Sequence, residues 1–223
     1  MTKFFTSHNS IINLYKNSSR RSEVITQLIY GESFSLIKKT KKWFKIKIKE
    51  DGYIGYITKI NLNPYVKPTH KIHKLKANIY RLPSKKNKIG ELPFGSKLKI
   101  NQKSSKFAKL NKGWIERNNI KPLNFRDKDL FVRAKYFKNI KYKWGGKTYK
   151  GIDCSALVQL YYKYNRHFFP RDTVDQIKEK NGLVKKKNYK KGDIIFWKGH
   201  VAVCISNKDL IHAYGPKKKV IVM

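Results

Sequence analysis

Through the first half of the chain, apolar and polar residues alternate almost one for one. The clearest stretch is Trp43-Phe44-Lys45-Ile46-Lys47-Ile48-Lys49, with apolar side chains at 44, 46 and 48 and lysines between them. A period of two sends these sets to opposite faces of a pleated strand, one toward a core and one toward water. Gly, Asn and Asp cut the alternation into four or five short strands, repeated twice. The repeat is visible residue by residue. Asn13-Leu14-Tyr15 recurs as Asn78-Ile79-Tyr80, and Gly31-Glu32-Ser33-Phe34 as Gly95-Ser96-Lys97-Leu98. Trp43-Phe44-Lys45-Ile46 corresponds to Phe107-Ala108-Lys109-Leu110, and Gly55-Tyr56-Ile57 to Gly113-Trp114-Ile115. The offset falls from 65 to 58 residues, as shorter hairpins in the second copy require. Two small β-barrels are therefore expected, over 1–66 and 67–125. The linker lies near Asn63-Pro64-Tyr65-Val66-Lys67-Pro68.

Past residue 125 the spacing changes. Leu130, Phe131, Ala134 and Phe137 predict a helix over 127–138, with Asp127 and Asp129 suited to its first turn. Ala156, Leu157, Leu160, Tyr161 and Tyr164 share one face of a second helix that starts near Cys154. A short helix over about 173–180 follows Pro170, and strands are expected at 193–198, 200–206, 209–214 and 218–223. Helices against an antiparallel sheet make this third module, 126–223, an α+β domain.

Composition narrows the reading. Apolar residues make up 40% of 223 positions and aromatics 13%, enough for packed cores and too many for a disordered chain. The net charge of +38 permits an anionic partner such as nucleic acid. Lys outnumbers Arg 44 to 8, however, and the lysines are spread along the chain, with short runs at 38–42, 185–187 and 217–219. A dedicated phosphate reader favours the bidentate fork of Arg. The charge therefore reads better as codon bias and solvation than as a nucleic-acid surface. Two cysteines, Cys154 and Cys204, are too few for a disulfide framework. The N-terminal segment lacks the roughly 7–15-residue apolar core of a signal peptide. No run of about 18 apolar residues predicts a spanning helix. The expectation is a cytoplasmic protein without membrane partner, metal or cofactor.

The candidate chemistry centres on Cys154. It sits between Asp153 and Ser155, after a Gly-rich stretch and at the head of an amphipathic helix. A helix start and a nearby imidazolium both favour a thiolate, the nucleophilic form. Cys204, flanked by Val203 and Ile205, reads as a core residue. His200 and His212 lie on adjacent predicted strands. If the loop between them is Ser206-Asn207-Lys208, then Ile205 faces Asp209 and Ala202 faces His212. The two histidines then share a face as diagonal neighbours, about 7–8 Å apart. A two-residue turn would send one to the opposite face. On one face they can serve as base and orienter for a thiol. A zinc site of Cys154, His200 and His212 is the alternative, although closely spaced ligand pairs are missing.

The segment Tyr142-Lys-Trp144-Gly-Gly146…Gly151-Ile-Asp153-Cys154-Ser155-Ala-Leu-Val-Gln159 resembles the nucleophile motif of the NlpC-type, papain-like cell-wall cysteine peptidases. Phe169-Pro170-Arg171-Asp172-Thr173, Lys191-Gly192-Asp193-Ile-Ile-Phe196, Gly199-His200-Val201 and Ile211-His212-Ala213 follow in the family's order. The paired barrels resemble the bacterial SH3-like modules of the subgroup similar to γ-D-glutamyl-L-diamino-acid endopeptidases. That resemblance implies Cys154 as nucleophile, His200 as base, His212 as orienter and Tyr142 beside the oxyanion site. It further implies a substrate pocket for a free N-terminal L-Ala, drawn from Tyr53, Trp144, Asp153, Ser155, Arg171, Asp172 and Thr173. The expected activity is hydrolysis of the γ-D-glutamyl–diaminopimelate bond of murein peptides in peptidoglycan recycling. Rival readings are a secreted wall endopeptidase, or an RNA- or polymer-binding protein with a vestigial peptidase domain. Ala156 stands where the family usually has Gly, and the chain stops at Met223, where relatives commonly continue.

Overall fold

The computed structural model describes residues 2–179 and 188–223. The end of the helix expected to reach 180 and the 185–187 lysine run fall outside the described residues. Among the described residues the fold is mostly sheet, with two α-helices, α1 (Cys154–Tyr164) and α2 (Thr173–Glu179). It divides into two compact units, Met1–Phe125 and Arg126–Met223.

Within the first unit, strands from Phe4–Thr6 to Asn63–Pro64 form a seven-stranded antiparallel sheet. The long central pairs join Ser33–Lys39, Trp43–Ile48 and Ile54–Thr58. The alternation read from sequence fixes which side is inside: Phe44, Ile46 and Ile48 are buried with Phe5, Leu14, Leu28, Phe34 and Ile57. A second core gathers Ile72, Ile79, Leu92, Leu98, Leu110, Ile115 and Ile120 beneath a five-stranded and a three-stranded sheet.

The repeat is physical as well as textual. Tyr15 pairs with Tyr56 in the first copy, and Tyr80 with Trp114 in the second. In each copy that tyrosine meets an aromatic of the next strand edge-on, Tyr15 with Trp43 at 5.5 Å and Tyr80 with Phe107 at 6.1 Å. Gly31 and Gly95 open the corresponding turns at φ of 78° and 79°. At Gly31 a Cβ would lie 1.9 Å from the Lys97 carbonyl oxygen, so only glycine allows this approach between the copies.

The second unit carries a four-stranded antiparallel sheet ordered Ile194–Trp197, His200–Cys204, Leu210–Tyr214 and Lys219–Val222. Helix α1 packs against the His200–Cys204 and Leu210–Tyr214 strands. Ala156, Leu157, Leu160, Tyr161 and Tyr164 are all buried, as the helical spacing required.

The helix expected over 127–138 is not there. A series of turns leads to a single 3₁₀ segment, Ala134–Phe137. Local side-chain bonds compete with a helical ladder at this point. Asp129 Oδ1 accepts from the Phe131 amide, Asp127 pairs with Arg133, and the Asp127 amide donates to Asn165. The inward residues are Phe131, Ala134 and Phe137, whose spacing of three suits a 3₁₀ turn better than an α-helix. Phe131 and Phe137 both meet Tyr161 of α1 edge-on.

Candidate active site

The local sequence before Cys154 builds the start of α1. Gly145 takes a left-handed φ of 70° and turns its amide toward Asp153 Oδ2, at 2.9 Å. Gly146 packs so close to the chain that a Cβ would meet the Gly151 carbonyl oxygen at 2.5 Å. Asp153 is the N-cap: its Oδ1 accepts from the Ala156 amide at 2.8 Å, satisfying one of the helix's orphan donors. Cys154 is therefore the first helical residue, and its thiol is buried (5% exposed).

Asp153 is also tied from outside the helix. Arg171 reaches it with both guanidinium arms, Nη1 to Oδ1 at 3.0 Å and Nη2 to Oδ2 at 2.6 Å. Arg171 Nη1 donates as well to Ser155 Oγ at 2.8 Å, and that hydroxyl donates to Asp153 Oδ1 at 3.2 Å. All three side chains are buried. Gln176 of α2 donates to the Ser155 and Pro170 carbonyls, at 3.0 and 2.9 Å, and so clamps α2 onto the start of α1. Gln176 escaped the sequence reading because nothing in its spacing marks it.

The two histidines meet. Val203 pairs with Ile211 and Cys204 with Leu210, and the Ile205 amide donates to the Asp209 carbonyl at 2.9 Å. This is the register of the three-residue loop, and it puts His200 Nε2 2.7 Å from His212 Nδ1. Tyr214 stacks on His212 at 4.8 Å, and Trp197 lies against His200 at 5.7 Å. With Nε2 engaged, Nδ1 is the His200 nitrogen left to accept a proton. That role requires Nε2–H of His200 to donate to His212.

The nucleophile candidate lies against the same strand. The backbone of Val201 and Ser155 and the side chain of Thr173 lie beside the Cys154 sulfur and favour its thiolate. Burial nonetheless pushes the thiol up from its ordinary value, and the Asp153 carboxylate adds to that shift. Burial thus opposes the helix start that the sequence offered as a source of thiolate. A base beside the thiol is what would draw off the proton. Burial lowers the pKa of His200, leaving it a neutral imidazole able to act as one. Burial, followed by proximity to Cys154 and to the Asp153 carboxylate, pushes Tyr142 up to about 12, so its phenol keeps its proton as a donor.

Of the other candidates, Thr173 begins α2 beside the thiol, Asp172 is half-buried next to Arg171, and Trp144 is exposed. Tyr53 lies in the first unit, packed on its core with its amide donating to Asp51 Oδ1 at 3.1 Å. Among the described residues no group of His, Cys, Asp and Glu is arranged to hold a metal ion. Nor is any described helix long and apolar enough to cross a membrane.

The histidine pair gives a pH prediction. Burial, then the neighbouring His200, lowers His212 to about 4, while an unfolded histidine titrates near 6.5. The unfolded chain then binds the extra protons. Stability is full above about pH 6.5 and falls as the pH drops toward about 4. Urea midpoints measured from pH 7 to 4 should show this loss, with a smaller loss in His212→Asn. Equal losses in the two proteins would remove His212 as the cause.

A buried thiol at the start of a helix that packs on the strands carrying a bonded imidazole pair is the arrangement of a cysteine peptidase. Residues 139–223 match the NlpC/P60 family, and residues 14–62 match the bacterial dipeptidyl-peptidase Sh3 domain. The chain thus joins an NlpC/P60 peptidase domain to a bacterial SH3 domain. It is 27% identical to a γ-D-glutamyl-L-lysine dipeptidyl-peptidase of Bacillus cereus, over 87% of this chain and 68% of that protein. A Bacillus subtilis protein of the same name is 25% identical, over 89% of this chain and 75% of its own length. The crystal structure of an NlpC/P60 family protein from Bacillus cereus superposes with a TM-score of 0.83 at 23% identity, covering 100% of this chain and 94% of that one. The fold is shared.

Proposed function

We propose that this enzyme hydrolyses the γ-D-glutamyl bond to a diamino acid in short murein peptides with a free N-terminal L-Ala. The product would be L-Ala-γ-D-Glu, and the role peptidoglycan recycling. The Cys154–His200–His212 set carries this reading, in a chain whose alignments with two γ-D-glutamyl-L-lysine dipeptidyl-peptidases reach into both units. His200 Nδ1 takes the thiol proton as Cys154 Sγ attacks the γ-carbonyl. The oxyanion is held by the Cys154 amide, one of the donors for which the first helical turn has no intrahelical partner, and by the Tyr142 hydroxyl. His200 then protonates the departing amine, the C–N bond breaks, and a thioester remains. Water, deprotonated by His200, hydrolyses it.

The internal bonds of Asp153 refine the amine pocket. Five donors converge on its two oxygens and Arg171 cancels its charge, so a substrate ammonium finds no net charge there. We therefore assign the ammonium to Asp172, with Asp153, Ser155 and Arg171 setting its position and Thr173 and Trp144 beside it. N-acetylation of the substrate tests this. Removing a charged group from a site built for it leaves polar groups unpaired, so kcat/KM should fall at least about tenfold. Equal cleavage of the free and acetylated tripeptides would overturn amine recognition and favour action on polymeric wall.

A further inference from the structure

His200 is the group that hands a proton to the departing amine, so the residue released with that amine must lie alongside its ring. A large, half-exposed side chain borders that ring. Trp197 is paired directly opposite His200 in the sheet, and the two-residue turn Lys198-Gly199 holds them together, with Gly199 at a φ of 72°. Directly opposed residues project to the same face. The two rings accordingly sit 5.7 Å apart at 34°. His212 and Tyr214 complete the aromatic cluster around His200, at 4.9 and 6.0 Å, and His212 is buried. Trp197 is the outer member, 47% exposed. An indole left half in water beside a proton-transfer group is surface offered to a ligand rather than spent on a core.

We propose that Trp197 forms a wall of the subsite for the released residue and that its ring selects an ammonium-ended side chain there. This rests on the peptidase reading above. An indole covers a four-carbon stem and attracts an ammonium at its face through the ring quadrupole. The attraction suits this protein in particular. A net charge of +38 repels an approaching cation, but salt screens that repulsion beyond about 8 Å, whereas the indole acts at contact. A π-face gives a cationic residue something to bind without adding a carboxylate beside a neutral catalytic imidazole.

The test compares L-Ala-γ-D-Glu-L-Lys with L-Ala-γ-D-Glu-L-norleucine, which keeps the stem and lacks the ammonium. Wild-type enzyme should favour the lysine peptide about two- to fivefold in kcat/KM, the size of an exposed cation–π contact. In Trp197→Ala the ratio should fall to about one, while KM rises for both peptides. Trp197→Phe keeps a ring with a weaker field and should give an intermediate ratio. A structural defect alone would slow both peptides and leave the ratio as in wild type. An unchanged ratio in Trp197→Ala, or no preference in wild type, overturns the inference while leaving the peptidase reading intact. If wild-type enzyme releases L-Ala-γ-D-Glu from neither peptide, the proposed function itself fails and this subsite with it.

Discussion

Replacement of Cys154 by alanine is expected to reduce release of L-Ala-γ-D-Glu by at least about a thousandfold, to the background set by binding and oxyanion stabilisation. The size follows from the chemistry. Without the sulfur no thioester forms, and His200 and Tyr142 are left to assist a direct attack by water for which the site was not shaped. The variant should remain folded, because the Asp153 cap at the start of α1 is kept and alanine removes only the sulfur. Measurement of dipeptide release alongside the thermal midpoint separates loss of chemistry from loss of structure. Turnover within about tenfold of wild type by the folded variant would remove Cys154 from the mechanism.

The largest expected effect on stability falls on Arg171. Arg171→Met keeps the stem and removes the guanidinium, leaving the Asp153 carboxylate buried without its counter-charge. Breaking a buried pair in this way costs about 3–5 kcal/mol. In a domain of this size each kcal/mol lowers the thermal midpoint by about 4–8 °C. An exposed pair such as Lys16–Glu23, at 3.7 Å, contributes at most about 1 kcal/mol, so Lys16→Met is the matching control. Adding Asp153→Asn to Arg171→Met should restore part of the loss, because the stranded charge is gone although the cap remains. Calorimetry on the three variants checks this. A midpoint within about 2 °C of wild type for Arg171→Met would show that Asp153 is stabilised by its amide donors alone.

The strand alternation around Phe44, Ile46 and Ile48, the aromatic repeat and the apolar face of α1 were legible in sequence. Each is a local periodicity, fixed by backbone geometry within a few residues. Cys154 at a helix start was legible for the same reason, since Asp153 caps within three positions. The His200–His212 pairing was legible only conditionally. It turned on whether the loop held two residues or three, a choice that hairpin geometry allows and folding makes.

The 127–138 segment misled because Phe131, Ala134 and Phe137 fit both a helical and a 3₁₀ spacing. Asp127, Asp129 and Asn165 decided between them through bonds that no periodicity records. The thiol's protonation also lay beyond the sequence. A helix start argues for a thiolate, and burial, which opposes it, is a property of the packed site.

Sequence by itself determined that this chain is a β-rich repeat followed by a helix-borne thiol with two histidines downstream, because those features are written at short range. Only the tertiary structure decided that Arg171, eighteen positions away, takes up the charge of Asp153, and that Gln176 of α2 holds the Ser155 carbonyl. Those contacts join residues whose distance along the chain says nothing about their distance in space, and packing alone brings them together.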